Sequence, residues 1–190
     1  MSVPLSGKAV LVTGASAGIG RATAVALAQA GAKVIATGRR RMELDKLAGE
    51  CSGAIETIAG DLNDARFVDD LASKAGDVDI LVNNAGILKY APLMDMTDAD
   101  VDAMFRTNVL AAFRVAHAVA RSMIERRRGH IIVVTSIAAR EVYPLGVIYC
   151  ATKHALSAIT RGLRLELQGH GITVTEIAPG TVDTGIRATS

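Results

Sequence analysis

Short runs of aliphatic and β-branched residues alternate along the chain with longer segments in which apolar residues recur at helical spacing. Most of the short runs are apolar without alternation, which is typical of strands buried on both faces of a parallel sheet. The third run is the weakest strand candidate, because it is short and contains Glu56. The pattern predicts six strands, at residues 8–13, 33–37, 54–58, 79–83, 130–136 and 172–178.

The segments between these strands have the periodicity of helices. Strand and helix alternate with short connections, which implies right-handed crossovers and an α/β fold built on a doubly wound parallel sheet. No low-complexity or proline-rich stretch divides the chain, so we expect a single domain over residues 1–190. The predicted helices cover residues 19–30, 41–50, 65–75, 98–126 and 149–170.

Charge and composition narrow the class of protein. The 21 Lys and Arg residues nearly balance the 19 Asp and Glu residues, and aromatic residues are scarce, which argues against a nucleic-acid-binding surface. No apolar run approaches the roughly 18–20 residues of a membrane span. Cys51 and Cys150 have no metal-ligand spacing, the four histidines form no ligand set, and we expect no metal site. Two such cysteines are typical of reduced thiols, so we expect a cytoplasmic protein that binds neither nucleic acid nor membranes.

A glycine-rich turn follows the first predicted strand, in the sequence TGASAGIG at residues 13–20. Gly14 permits a tight turn, Gly18 permits close approach of a bound group, and Gly20 lets the next helix pack against the sheet. The first-turn N–H groups of that helix form an anion site suited to a pyrophosphate. The spacing differs from the general G-x-G-x-x-G fingerprint, and such a turn can also serve packing alone.

The end of the second predicted strand bears on the choice of dinucleotide. An NAD site places an acidic residue here for the ribose hydroxyl, whereas an arginine accommodates the 2′-phosphate of NADP. Gly38 stands at the expected acidic position, and Arg39, Arg40 and Arg41 follow it. These arginines could also be the solvated start of a helix, although cations suit a helix N-terminus poorly. The pattern favours NADP(H).

Three polar residues form a candidate catalytic group. Tyr149 and Lys153 are four residues apart at the start of a predicted helix, hence on one face, and Ser136 ends the fifth predicted strand. An ammonium beside a phenol favours the phenolate, which would lower the tyrosine pKa from about 10. Tyr149 could then act as a general acid or base, with Ser136 holding the reacting oxygen. A Tyr-x-x-x-Lys pair by itself is more often a surface helix pair.

Together these residues resemble the short-chain dehydrogenase/reductase family. The resemblance extends from about residue 6 to the end of the chain, and several independent motifs occur in the family's order. It implies a Rossmann-type sheet in a three-layer α/β/α arrangement and hydride transfer between a nicotinamide and a carbonyl or alcohol carbon. The motifs are TGASAGIG at 13–20, NNAG at 83–86, Asn108, Ser136, YCATK at 149–153 and PGTVDT at 179–184.

The resemblance also implies a role for each catalytic residue. Tyr149 would donate a proton during carbonyl reduction and accept one during alcohol oxidation. Lys153 would lower the pKa of Tyr149 and bind the nicotinamide ribose. Ser136 would hydrogen-bond the substrate oxygen, and Asn108, within the long predicted helix, would hold a water in a proton relay.

Further positions are assigned to the cofactor by the same resemblance. Asp61 and Leu62 would flank the adenine, residues 83–86 would line the cofactor, and residues 179–181 would pass the nicotinamide. Thr184 would contact the nicotinamide amide or the pyrophosphate. The full set of expected cofactor-binding residues is Gly14, Ser16, Gly18, Ile19, Gly20, Arg39, Arg40, Asp61, Leu62, Asn83, Ala85, Gly86, Tyr149, Lys153, Pro179, Gly180, Thr181 and Thr184.

Three further expectations concern the segment beyond the PGTVDT motif, the oligomeric state and the substrate. Family members continue beyond the PGTVDT motif, so we expect their lid and final strand with its helix to be missing from residues 1–190. The helices at 98–126 and 149–170 have surplus apolar positions, and they form the dimer interface in the family, so we expect a homodimer or homotetramer. The expected substrate is a small or medium carbonyl or alcohol. Alternatives are a 3-oxoacyl-thioester reductase, a non-catalytic NADP(H)-binding regulatory module, and an isomerase or dehydratase.

Overall fold

The computed structural model describes residues 5–51 and 53–184. All six strands lie in one parallel sheet in the order β3-β2-β1-β4-β5-β6, as expected for a doubly wound fold. The predicted α/β fold class is therefore confirmed. The single domain over residues 1–190 stays a prediction, and residues 1–4, 52 and 185–190 lie outside the described residues. The strands are β1 Ala9–Thr13, β2 Lys33–Gly38, β3 Ile55–Ala59, β4 Ile80–Asn83, β5 Gly129–Val134 and β6 Ile172–Ile177.

Helices cover both faces of the sheet. Successive residues of β1 point to opposite faces, so Val10 and Val12 join the core under one helix layer while Leu11 joins the other. All three of these side chains are fully buried, which explains why the strand reads as continuously apolar. The helices are α1 Gly18–Gln29, α2 Arg41–Glu50, α3 Ala65–Ala75, α4 Asp98–Phe105, α5 Ala112–Arg126 and α6 Val147–Leu167.

The structure divides the helix predicted over residues 98–126. A π-helical turn at Arg106–Ala111 separates α4 from α5, and it contains Asn108. Extra residues in a turn of this kind often occur at functional sites. The predicted fifth strand also ends early, at Val134, so Ser136 lies beyond the sheet and caps a short 3-10 helix at Ile137–Ala139.

None of the helices in the described part of the chain is long and apolar enough to cross a membrane. The same residues contain no group of three or more His, Cys, Asp or Glu side chains that could hold a metal ion.

Candidate active site

Two adjoining cavities lie at the carboxyl edge of the sheet, where ligands bind in folds of this kind. A cavity of about 400 Å³, here called the nucleotide cavity, is lined by the glycine-rich turn, Arg39, Arg40, Asp61 and Leu62. A cavity of about 470 Å³, here called the reaction cavity, is lined by Ser136, Tyr149 and Lys153 among others. The two share Ile19, Asn84, Gly86, Ile87 and Thr184, so one elongated ligand can occupy both.

The three glycines of the glycine-rich turn have no room for a side chain. Gly14 and Gly18 have φ values of +67° and +54°, and a Cβ on Gly14 would lie 2.8 Å from the Cα of Ala85. A Cβ on Gly18 would lie 2.8 Å from that of Thr184, and one on Gly20 would collide with the side chain of Asn84. The start of α1 has no side-chain cap and no acidic residue in its first turn, so its N–H groups remain available to an anion.

The arginines after β2 border the nucleotide cavity together with Ser16. The Nε and Nη2 atoms of Arg40 each donate to Ser16 Oγ over 3.2 Å. A Cβ on Gly38 would lie 3.3 Å from the same hydroxyl oxygen, so an acidic side chain at that position would crowd the serine. Within residues 5–51 and 53–184, neither Arg39 nor Arg40 forms an ion pair with a carboxylate. A phosphate group would find a hydroxyl and two exposed guanidinium groups here.

The chain after β3 forms the far wall of the nucleotide cavity. Asp61 is exposed and accepts hydrogen bonds of 3.0 Å from both the backbone and the side-chain nitrogen of Asn63. Leu62 is buried but lines the cavity. Both expected adenine-flanking residues therefore border the space that a nucleotide base would need.

The NNAG segment is tied to the end of β1. Thr13 Oγ1 accepts hydrogen bonds from the backbone N–H groups of Asn84 and Ala85 at 2.9 and 3.0 Å. Asn83, which was expected to line the cofactor, is buried and is not among the residues that line either cavity, and its side chain donates to the carbonyl of Ala112 at 2.7 Å. Its amide fixes β4 against α5 and lets the following residues face the cavities.

The first turns of α6 carry Tyr149 and Lys153 into the reaction cavity. The Lys153 Nζ atom lies 5.7 Å from the centroid of the Tyr149 ring and donates to the carbonyl of Val134 over 3.4 Å. Burial lowers the pKa of Lys153 from 10.5 to about 8, because the charged form loses water without a carboxylate to replace it. Ser136 also lines this cavity, and its Oγ accepts from the N–H of Ala138 at 3.1 Å.

Asn108 lies behind the reaction cavity and not in its wall. Its Oδ1 accepts from the N–H of Ile87 at 2.8 Å, while its Nδ2 donates to the carbonyl of Ile87 at 2.9 Å and to Thr152 Oγ1 at 3.1 Å. A Cβ on Gly86 would lie 3.2 Å from Asn108 Oδ1 and 3.6 Å from Lys153 Nζ. The asparagine therefore lies near the lysine and joins the loop after β4 to α6.

Residues of the PGTVDT motif form part of the wall of the reaction cavity. Pro179, Gly180 and Thr181 line it, and the carbonyl of Pro179 accepts from the N–H of Ile137 at 2.9 Å. Thr184 borders both cavities beside Gly18. The expected nicotinamide-contacting residues are thus brought next to Ser136.

Sequence reasoning missed three residues that line the reaction cavity. Tyr90, Tyr143 and Leu145 line it, and neither tyrosine received a role from the motifs. A signal was present, because the chain has only three tyrosines and the third is Tyr149. All three lie together, with the Tyr90 ring centroid 5.9 Å from that of Tyr143 and 6.3 Å from that of Tyr149.

Comparison with known proteins identifies the family. A family model described as short chain dehydrogenase matches residues 8–190. The chain belongs to the short-chain dehydrogenase/reductase family, whose members are oxidoreductases that act on small molecules.

Relatives and solved structures extend over the same range. L-xylulose reductase from Mesocricetus auratus is 40% identical over 191 residues, which cover 100% of this chain and 78% of the relative. An uncharacterized short-chain type dehydrogenase/reductase from Sinorhizobium fredii is 43% identical, covering 95% of this chain and 72% of the relative. A solved short chain dehydrogenase/reductase family protein superposes with a TM-score of 0.92 at 37% identity, covering 96% of this chain and 77% of that structure.

One solved structure carries a nucleotide. A Beutenbergia cavernae protein assigned as an NAD(P)-dependent gluconate 5-dehydrogenase, with NADP bound at low occupancy, is 34% identical. It superposes with a TM-score of 0.92 and covers 98% of this chain and 78% of that structure.

Proposed function

We propose that the protein is an NADP(H)-dependent oxidoreductase that interconverts a small or medium carbonyl compound and its alcohol. When bound, the nicotinamide supplies or accepts the hydride. The observation that carries the proposal is the meeting of Tyr149, Lys153 and Ser136 in one cavity that is continuous with the glycine-lined nucleotide cavity.

Tyr149 serves in this proposal as the general acid and base. During reduction its hydroxyl gives a proton to the substrate oxygen, and during oxidation it takes that proton back. Ser136 holds the same oxygen through its hydroxyl. Lys153 sets the charge beside the phenol and binds the nicotinamide ribose. Asn108 is a positioning residue that keeps the loop after β4 aligned with α6.

The test of this chemistry is reduced-nicotinamide absorbance with a panel of carbonyl compounds. Tyr149→Phe keeps the ring but removes the proton donor, so turnover should fall by about 10²–10⁴ with little change in NADPH affinity. Ser136→Ala should lower turnover by about 10²–10³, the usual cost of losing a donor to the reacting oxygen. Near-normal turnover in Tyr149→Phe would refute the mechanism. Tight NADPH binding without turnover of any carbonyl would instead favour a regulatory module.

The preference for NADP(H) rests on the arginines after β2. A 2′-phosphate beside Ser16 would meet Arg39 and Arg40, and no carboxylate follows β2 in the position that would favour the free ribose hydroxyl. Losing one charge-assisted phosphate contact costs roughly 1.5–3 kcal/mol, or about ten- to a hundredfold in affinity.

Arg39→Asp should therefore weaken NADPH binding and shift the preference toward NADH, as measured by calorimetric titration with both nucleotides. Arg41→Asp is the matched control, because it makes the same charge change at an exposed residue that does not line the cavity. Equal binding of both nucleotides by the wild-type protein, with no change in Arg39→Asp, would contradict the proposal.

We also propose a homodimer or homotetramer built on α5 and α6. Leu110 in the π-helical turn before α5, Phe113 on α5 and Leu165 on α6 are 46%, 43% and 72% exposed. Large exposed apolar side chains on these elements favour burial against a second copy. A sedimentation measurement that finds only monomer at micromolar concentration would exclude it.

The free thiols of Cys51 and Cys150 support a reducing compartment, and we place the protein in the cytoplasm.

A further inference from the structure

Aromatic and aliphatic side chains form part of the wall of the reaction cavity. Tyr90 and Tyr143 pack edge to face, with 66° between their rings, and their hydroxyl oxygens are 3.1 Å apart in a mutual hydrogen bond. Because the two hydroxyls already bond to each other, a substrate hydroxyl would have to compete with that bond to reach them. Burial raises the pKa of Tyr143, so its phenol stays neutral throughout the working pH range.

Gly146 makes this aromatic pair possible. A Cβ at position 146 would lie 2.5 Å from Cε2 of Tyr143 and 3.3 Å from Cε1 of Tyr90. Any larger residue would therefore push the Tyr143 ring out of its place. The glycine and the two tyrosines form one packed unit, although 53 residues separate the tyrosines along the chain.

Leu145 is held beside this unit in a conformation that leucine rarely adopts. Its φ is +66°, in the left-handed region, and its carbonyl accepts from the N–H of Ala91 at 3.1 Å. The side chain is 49% exposed and lines the reaction cavity. A backbone conformation of this kind costs free energy and persists where surrounding contacts require it, typically at binding sites.

Charged groups are nearly absent from the same cavity. Among the described residues that line it, Lys153 is the only charged one, and Lys153 already has a role in the proposed reaction. Ile87, Leu88, Ile137 and Val182 add aliphatic surface, and the lining also includes the uncharged polar residues Asn84, Thr135, Thr181 and Thr184. A substrate hydroxyl that leaves water to lie against the aliphatic side chains gains no partner there, and each such hydroxyl should lower the kcat/KM by about tenfold.

We infer that the substrate is an uncharged ketone or secondary alcohol with an apolar ring or chain, seated against Tyr90, Tyr143 and Leu145, and not a polyhydroxylated sugar. This inference rests on the proposed oxidoreductase function. It places the reacting oxygen at Ser136 and Tyr149, and the apolar body of the substrate against Tyr90, Tyr143 and Leu145. The selectivity is expected to differ from that named in the sugar-reducing relatives.

The test compares 4-phenylbutan-2-one with L-xylulose as substrates for NADPH oxidation by the full chain. The aryl ketone should have a kcat/KM at least about tenfold higher. Leu145→Asn introduces a polar side chain of similar size, and asparagine tolerates the positive φ at this position. It should lower the kcat/KM for the ketone about five- to tenfold, mostly through KM, while thermal stability is retained.

Met94→Asn is the control, because Met94 is 90% exposed and does not line the cavity. It should leave the kcat/KM for both substrates unchanged. Tyr143→Ala provides a second variant and should also weaken the ketone selectively. A kcat/KM for L-xylulose equal to or above that for the ketone would overturn the inference. So would an unchanged ketone kcat/KM in both Leu145→Asn and Tyr143→Ala.

Failure of the proposed function can be recognised separately. If neither substrate is turned over, ligand-observed saturation-transfer NMR with NADP⁺ present measures binding of the same ketone directly. Ketone binding that is lost in Leu145→Asn would support the apolar site and reject the oxidoreductase proposal. Absence of ketone binding to the wild-type protein would reject both.

Discussion

The buried amine of Lys153 makes the stability of the protein depend on pH in a predictable direction. Its pKa is lowered from 10.5 to about 8 by burial, whereas in the unfolded chain the amine keeps its ordinary pKa. Between these values the unfolded state binds more protons than the folded state, so the free energy of unfolding rises with pH. Below pH 8 the amine is charged in both states, and the cost of burying it is fully present.

The size of this effect follows from the two pKa values. Their difference corresponds to roughly 3 kcal/mol, most of which should develop between pH 8 and pH 10. In Lys153→Met this contribution is absent. Urea denaturation at pH 7, 8, 9 and 10 should therefore show the wild-type protein gaining roughly 2–3 kcal/mol relative to Lys153→Met across the series.

The neighbouring phenol needs a control, because tyrosines also begin to ionise in this range. The same comparison in a Tyr149→Phe background, with and without Lys153→Met, removes that titration. The gain with rising pH should persist there. If the difference between the two proteins is flat with pH, or falls as pH rises, then burial does not lower the pKa of Lys153 and the reasoning is wrong.

Two further predictions concern the glycine-rich turn and the first turn of α4. Gly20→Ala should abolish nucleotide binding in calorimetric titration, since the added Cβ collides with the Asn84 side chain; normal NADPH affinity would contradict the packing described for α1. Hydrogen bonds from Lys89 and Thr97 lower the pKa of Asp100 to about 2, so its stabilising contribution is present above pH 3.8 and lost as pH falls toward 2. The difference in Tm between the wild-type protein and Asp100→Asn should be constant above about pH 5 and shrink below it; a difference independent of pH would refute this.

Much of the fold could be predicted because most of the strands are short runs of largely apolar residues. Residues 8–13 appear as Ala9–Thr13, and residues 33–37 as Lys33–Gly38, within one residue at each end. The break in the helix at Arg106–Ala111 could not be predicted in this way. There Asn108 bonds to the backbone of Ile87 and to Thr152, and these partners are distant in sequence.

The candidate site, like the fold, could be predicted from the sequence only where local motifs indicate it. Local motifs indicated the glycine-rich turn and the pair Tyr149 and Lys153, because helical spacing alone places the latter on one face. The cofactor contact expected of Asn83 stays a prediction, and its side-chain bond to the carbonyl of Ala112 at the start of α5 joins residues distant in sequence that no local pattern pairs. The Tyr90–Tyr143 pair depends on two loops meeting in space, which no local pattern encodes.

The convergence of all three tyrosines on one cavity gives the protein a natural optical reporter. The chain contains no tryptophan, so its intrinsic fluorescence arises from Tyr90, Tyr143 and Tyr149 alone. Tyrosine emission overlaps the absorption band of a reduced nicotinamide, and energy transfer falls steeply with distance. Binding of a reduced nicotinamide in the reaction cavity should therefore quench the emission of all three tyrosines and not of one alone. Ligand binding could be followed in the native protein with no label attached.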